Sequence, residues 1–177
     1  FSKLEPCLIG MEACSGAHHW ARELTELGHD VRFIPPMYVK PYIKRGKSDA
    51  IDAAAICEAV TRPTMRFVAV KTVEQQALLS LHRARDLLVR QRTQLINGLR
   101  GMAAEFGVYI AKGVARIIGF AEDILAGEVL DLPEIANEVI HNLCEHLMAL
   151  HARIRWYEER LKLVAKEDAR VRLLRTI

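Results

Sequence analysis

Residues 4–34 read LEPCLIGMEACSGAHHWARELTELGHDVRFI, and the order of patterns within this stretch decides the fold class. The apolar run Leu4, Cys7, Leu8, Ile9, Met11 predicts a short buried strand from Leu4 to Met11 that stops at Glu12, which puts an acid at the C-terminal end of a strand. Ser15-Gly16 supplies a turn. Ala17 to Leu27 then carries Trp20, Leu24 and Leu27 at helical spacing and is stopped by Gly28. Asp30 to Ile34, with Val31, Phe33 and Ile34, reads as the next strand. A strand, a helix and a second strand in this order imply a right-handed crossover joining parallel strands, the unit of an α/β sheet.

Downstream, Pro35, Pro36 and Pro41 interrupt a basic connection that holds Tyr38, Lys40, Tyr42, Lys44, Arg45 and Lys47. Ser48 suits the N-cap of an Ala-rich helix from Asp49 to about Val60, closed before Pro63. Asp49 and Asp52 are three apart, so both carboxylates leave one face of its first turn. Met65 to Val70 reads as a short strand or an extended link, after which the β signal ends. From Thr72 to Phe106 the apolar residues Ala77, Leu81, Ala84, Leu88, Leu95, Leu99, Met102 and Phe106 keep a 4-3 spacing broken only by Gln91, which predicts one long helix. Arg85 and Arg92 flank one edge of that seam; Arg83 and Arg90 lie farther round. Gly107, Gly113 and Gly119 loosen the pattern around one or two shorter helices. A second long helix starts near Pro133 with Ala136, Ile140, Leu143, Leu147, Leu150, Ile154, Tyr157, Leu161 and Val164 at the same spacing. Neither stripe is stable alone. The two pair with each other as an antiparallel helical hairpin, or each pairs with another copy as a coiled coil. The expected class is thus α/β plus all-α, divided into 1–70 and 71–177.

With 177 residues, 51% of them hydrophobic, the chain can bury one good core or two small ones. No apolar run approaches the roughly 20 residues that span a bilayer, and residues at the N-terminus lack the basic-then-apolar order of a signal peptide, so a soluble cytoplasmic protein is expected. Cys7, Cys14, Cys57 and Cys144 show no CxxC pairing, which suits free thiols in a reducing compartment. Phe1 stands where a Met would open a complete chain, and the helical pattern still runs at Thr176 and Ile177; a segment cut from a longer protein is expected. The net charge of +3 hides blocks. Residues 31–48 hold five basic and no acidic groups, 49–61 no basic and three acidic, 62–116 ten basic and three acidic, and 117–150 no basic and seven acidic. Two cationic blocks around a small acidic one suit a polyanion gathered about a metal-binding carboxylate cluster, although solvated charge runs give the same count.

The sharpest chemistry lies in Glu12, Asp49 and Asp52. Two-metal phosphoryl transfer needs carboxylates on rigid elements so that two divalent ions clamp the attacking and leaving oxygens, and hard oxygen ligands select Mg²⁺ or Mn²⁺. The plainer reading is that a helix dipole favours acids at Asp49 and Asp52 and that Glu12 merely closes a strand. His18 and His19 diverge by about 100° on a helix and do not readily share one metal, so one of them is expected to pack or hydrogen-bond near the sheet. Trp20 is expected in the core.

Met11-Glu12-Ala13-Cys14-Ser15-Gly16-Ala17-His18-His19-Trp20-Ala21-Arg22, then Val39-Lys40-Pro41-Tyr42, Lys47-Ser48-Asp49-Ala50-Ile51-Asp52-Ala53 and Ile56-Cys57-Glu58-Ala59 resemble, in that order, the DEDD transposases of the insertion sequence 110 family, most closely its 1111 branch. The resemblance runs from about Leu8 to Phe106, with looser helical similarity beyond. It implies an incomplete RuvC-like, RNase H-like catalytic domain over 1–70 whose acids run Asp, Glu, Asp, Asp. Glu12 matches the second, Asp49 the third and Asp52 the fourth; the first belongs on an upstream strand outside this chain. It also implies a downstream domain with a serine nucleophile, which none of Ser2, Ser15, Ser48 and Ser80 matches, so 71–177 reads as a helical linker to it and the chain alone is expected to be inactive. Family members use a structured non-coding guide RNA from their own element to choose DNA. Arg83, Arg85, Arg90, Arg92 and Arg100 are the candidate phosphate contacts on the helices, with Lys40, Lys44, Arg45 and Lys47 nearer the catalytic face, and homo-oligomers through the helices are expected in a bacterial cytoplasm. The other readings are a non-catalytic helical nucleic-acid-binding or oligomerisation module, and a stand-alone junction nuclease.

Overall fold

The computed structural model describes residues 1–43, 46 and 48–167. The chain divides into two compact units, Phe1–Gln75 and Gln76–Ile177. The first contains β1 (Leu8–Glu12), α1 (Ala17–Glu26), β2 (Asp30–Ile34), α2 (Pro36–Val39), a 3-10 turn (Lys40–Tyr42) and α3 (Asp49–Val60). β1 and β2 form a parallel pair in the register Leu8 to Asp30 through Glu12 to Ile34. Side chains alternate across such a pair, so Ile9, Met11, Val31 and Phe33 share one face while Gly10, Glu12, Arg32 and Ile34 share the other.

Each face has its own helix. α1 buries Ala17 and Ala21 with Phe33, Met11 and Val31, and Val68 and Val70 close the same cluster. α3 covers the opposite face with Ala55, Ala59 and Val60 around Ile34 and Val39. The expected core position of Trp20 is wrong: it is 60% exposed, and Leu27 is exposed as well. The buried stripe of α1 is Ala17, Ala21, Leu24 instead. Small residues let the helix backbone lie close to the sheet, and the bulk is supplied from the strand side by Phe33. The strand is also shorter than its apolar run, because Leu4 lies in a turn segment and is exposed. Gly28, at φ +91°, ends the α1 connection as expected. Met65 to Val70 is extended, with one antiparallel bridge from Val68 to Phe33. The proline-rich connection is more ordered than three prolines suggest. Pro36 opens α2 and Pro41 sits early in the 3-10 turn, positions where a missing N–H costs nothing.

The second unit is helical: α4 (Val73–Ala104, whose first turn spans the boundary), α5 (Val114–Leu125) and α6 (Glu134–Glu167). Its core joins Ile96, Leu99 and Ala103 of α4, Ile117, Ala121 and Ile124 of α5, and Ile140, Cys144 and Leu147 of α6. The buried stripe of α4 departs from the 4-3 seam at its C-terminal end, where Met102 is exposed and Ile96 and Ala103 face inward, and the helix stops at Ala104, short of the expected Phe106, which lies exposed in the following turn. A straight α-helix drifts by about 20° per heptad against a 3.5-residue repeat, so three heptads move the inward position by roughly one residue. Arg85 pairs with Glu158 at 2.9 Å, and Arg92 approaches His151 at 3.4 Å. Seven residues forward along α4 correspond to seven residues back along α6, so the helices run in opposite directions where they meet. No helix among the described residues is long and apolar enough to cross a membrane.

Candidate functional site

Glu12 is the last residue of β1 and pairs with Ile34, which places it on the sheet face that α3 covers. The closest approach of α3 falls two residues earlier, at Gly10. A Cβ there would lie 3.0 Å from Ile56 Cγ2 and 3.0 Å from Val60 Cβ, so a larger residue would need the helix or its side chains to give by a few tenths of an ångström. Glu12 is half-buried beside this contact. Asp49 and Asp52 are exposed in the first turn of the same helix, whose start is fixed by Ser48 Oγ accepting the Ile51 N–H at 3.3 Å. Asp52 stands one turn before Ile56, the residue that meets Gly10. Strand and helix therefore carry the three acids on one side of the sheet. Their oxygen chemistry suits Mg²⁺ or Mn²⁺. They do not by themselves fit as a finished metal pocket, since no group of three or more His, Cys, Asp or Glu among the described residues is placed to hold an ion.

The two histidines separate as their spacing requires. His18 turns inward, its ring edge-on to Phe33 at 4.8 Å and its Nδ1 accepting the Lys71 N–H at 3.1 Å. His19 faces solvent, 3.7 Å from the Glu23 carboxylate. All four cysteines are free.

Of the basic candidates, Lys40 is exposed on the 3-10 turn, while Lys44, Arg45 and Lys47 lie outside the described residues. The five arginines of α4 split into two groups. Arg85 is committed to Glu158, Arg92 to His151, and Arg100 donates to the carbonyl oxygens of Ala111 (2.7 Å) and Gly113 (3.0 Å), tying down the turn that leads into α5. The Nε atoms of Arg92 and Arg100 are buried without a hydrogen-bond partner, a cost set against the bonds their terminal nitrogens make. These three hold the unit together. Arg83 and Arg90, one heptad apart, are exposed and have no ion-pair partner among the described residues. They point away from the seam and remain available to phosphates. Arg153, Trp156 and Arg160 lie off the seam of α6 and are exposed.

The family model of IS110-type DEDD transposases matches residues 1–107. The chain is 49% identical to a probable family 20 transposase of Pseudomonas aeruginosa, over 98% of this chain and 52% of that protein. It is 40% identical to the transposase for insertion sequence element IS1328 of Yersinia enterocolitica (97% and 51%) and 44% identical to the transposase for IS1111A of Coxiella burnetii (92% and 44%). The chain spans about half the length of these curated relatives. No solved structure matches it.

Proposed function

Since the chain belongs to the IS110 family of DEDD transposases, we propose that it supplies the second, third and fourth carboxylates of a DNA strand-cleaving and rejoining site, as Glu12, Asp49 and Asp52. In this reading 1–70 is part of a RuvC-like catalytic domain, and 71–177 is an antiparallel helical hairpin leading to a serine-bearing domain. The observation that carries it is the Gly10 contact. α3 is held against the strand that ends in Glu12, and the capped first turn of that helix bears both aspartates. The acids become a Mg²⁺ or Mn²⁺ site only when the longer protein adds a further ligand, and the chain alone is then inactive. Arg83, Arg90 and Lys40 contact DNA or guide-RNA phosphates in the bacterial cytoplasm, and the helices join copies into an oligomer.

The test uses the full-length protein that contains this chain, with its element-end DNA and guide RNA. Glu12→Gln, Asp49→Asn and Asp52→Asn are each expected to lower Mg²⁺-dependent cleavage by at least about a hundredfold, the scale of losing one transition-state charge contact. Cleavage within a few-fold of wild type in any of the three would remove that residue from the site. For the chain taken by itself, the open carboxylate arrangement and the free Arg83 and Arg90 favour a second reading, a nucleic-acid-binding or oligomerisation module without catalysis.

A further inference from the structure

On α6, Ile140, Cys144, Leu147, Leu150 and Ile154 face inward. Counting 100° per residue, Arg153, Trp156 and Arg160 fall within about 60° of arc on the opposite side of the helix. The indole of Trp156 is 59% exposed, so its face is open to a ligand. One of its neighbours is Tyr157, whose ring meets it edge-on at 4.8 Å and 90°, limiting how the indole swings. The local charge is uneven. Glu158 is bound by Arg85 and Glu159 by Lys162, whereas Arg153 and Arg160 have no ion-pair partner among the described residues. An exposed indole bracketed by two unengaged guanidiniums, on the order of 10 Å apart along the axis, is the arrangement that takes a base on the ring and phosphates on either side.

We infer that the outer face of α6, Arg153-Trp156-Arg160, is a binding site for single-stranded nucleic acid, DNA or RNA, in which Trp156 stacks on an unpaired base. A duplex keeps its bases stacked inside and offers this face only phosphates, so a single strand is the preferred occupant. The inference rests on the family reading only in naming nucleic acid as the ligand. Charge complementarity favours that occupant over a second protein copy, which would have to bury these cations.

Trp20 and Trp156 are the only two tryptophans, so the whole chain carrying Trp20→Phe reports on Trp156 alone. Its fluorescence is titrated with oligo-dT, oligo-U and a blunt duplex of equal length. Both single strands are expected to quench the indole, and the duplex to leave it nearly unchanged. In the wild-type background, Trp156→Ala should weaken single-strand binding about tenfold and Trp156→Phe should recover part of the loss. Arg153→Gln with Arg160→Gln should reduce the slope of log affinity against log salt by about 1.4. Circular dichroism should be unchanged in every variant, because all three side chains point to solvent. Quenching by only one of the two oligonucleotides assigns the site to that strand type, and oligo-dU then separates the sugar from the thymine methyl. Equal affinity of Trp156→Ala and wild type overturns the inference, as does a Trp156→Ala that changes self-association and not strand binding. Strand binding lost through Arg83 and Arg90 with Trp156 silent overturns it too, while leaving the carboxylate proposal to stand or fall on cleavage by the Glu12 and Asp52 variants.

Discussion

Gly10→Ala is the smallest change that reaches the candidate site through the fold rather than through chemistry. The added methyl carbon lies 3.0 Å from Ile56 Cγ2 and from Val60 Cβ, and 3.2 Å from Val60 Cγ1. Ordinary carbon contacts are about 3.5–4.0 Å, so something must give by a few tenths of an ångström. Val60 Cβ is attached directly to the helix backbone and cannot rotate away, which makes α3 itself the part that moves. Overpacking of this kind costs about 1–3 kcal/mol, and replacing a strand glycine by alanine returns about 0.5–1 kcal/mol through the unfolded chain. The expected net loss is about 1–2 kcal/mol, read as a lower urea midpoint at unchanged m-value. Ile56→Ala in the same chain removes one of the two contacts, so the pair should be less destabilised than the sum of the single changes by about 0.5–1 kcal/mol. In the full-length protein the displaced helix carries Asp49 and Asp52 with it, and cleavage should fall further than stability alone explains. A Gly10→Ala chain at least as stable as wild type, or strict additivity with Ile56→Ala, would refute the claim that this contact sets the helix against the strand.

Two further expectations separate structural from available groups. Arg100→Ala should cost about 0.5–1.5 kcal/mol, because the Ala111 and Gly113 carbonyls lose their donor, and should leave the salt dependence of nucleic-acid binding unchanged; Arg83→Gln with Arg90→Gln should do the reverse, holding stability within about 0.5 kcal/mol and flattening the salt slope by about 1.4–1.8. Alkylation followed by mass spectrometry should find Cys7, Cys14 and Cys57 modified at pH 8 and Cys144 modified only in denaturant, since burial pushes the Cys144 thiol up to about 11 and keeps it protonated. The same shift fixes a sign: the unfolded thiol loses its proton near 9 while the folded one holds it, so the contribution of Cys144 is complete below pH 9 and declines as pH rises toward 11.

Legibility in the sequence follows how local each determinant is. Asp30–Ile34 and Asp49–Val60 can be read to the residue, because β-branched and aromatic residues between turns mark the strand and a serine cap before an Ala-rich run marks the helix. Trp20 misleads because ring size argues for burial, whereas the helix-to-sheet distance is set by Ala17 and Ala21, whose smallness carries no comparable signal. Met102 misleads for a geometric reason, since a heptad template extrapolated through an α-helix drifts off the inward side over successive repeats, and Phe106 misleads because α4 ends at Ala104 and leaves it in the following turn. At the site, the positions of Glu12, Asp49 and Asp52 on strand end and helix start follow from the sequence, as does the inward turn of one histidine. That Arg85, Arg92 and Arg100 are spent within the fold while Arg83 and Arg90 are not depends on partners 11 to 73 residues away, which no local spacing reports.

The pairing of β1 with β2 alone, among the described residues, leaves the far side of Leu8–Glu12 with backbone donors and acceptors facing outward along its whole length. That rim contains no lysine, proline or bulge to discourage a neighbour, and its sole charge is the terminal Glu12. A template of this kind accepts whichever extended backbone reaches it first. For this chain expressed by itself at high concentration, a second molecule's strand is the nearest such backbone, so self-association is expected to begin at the same five residues that present Glu12.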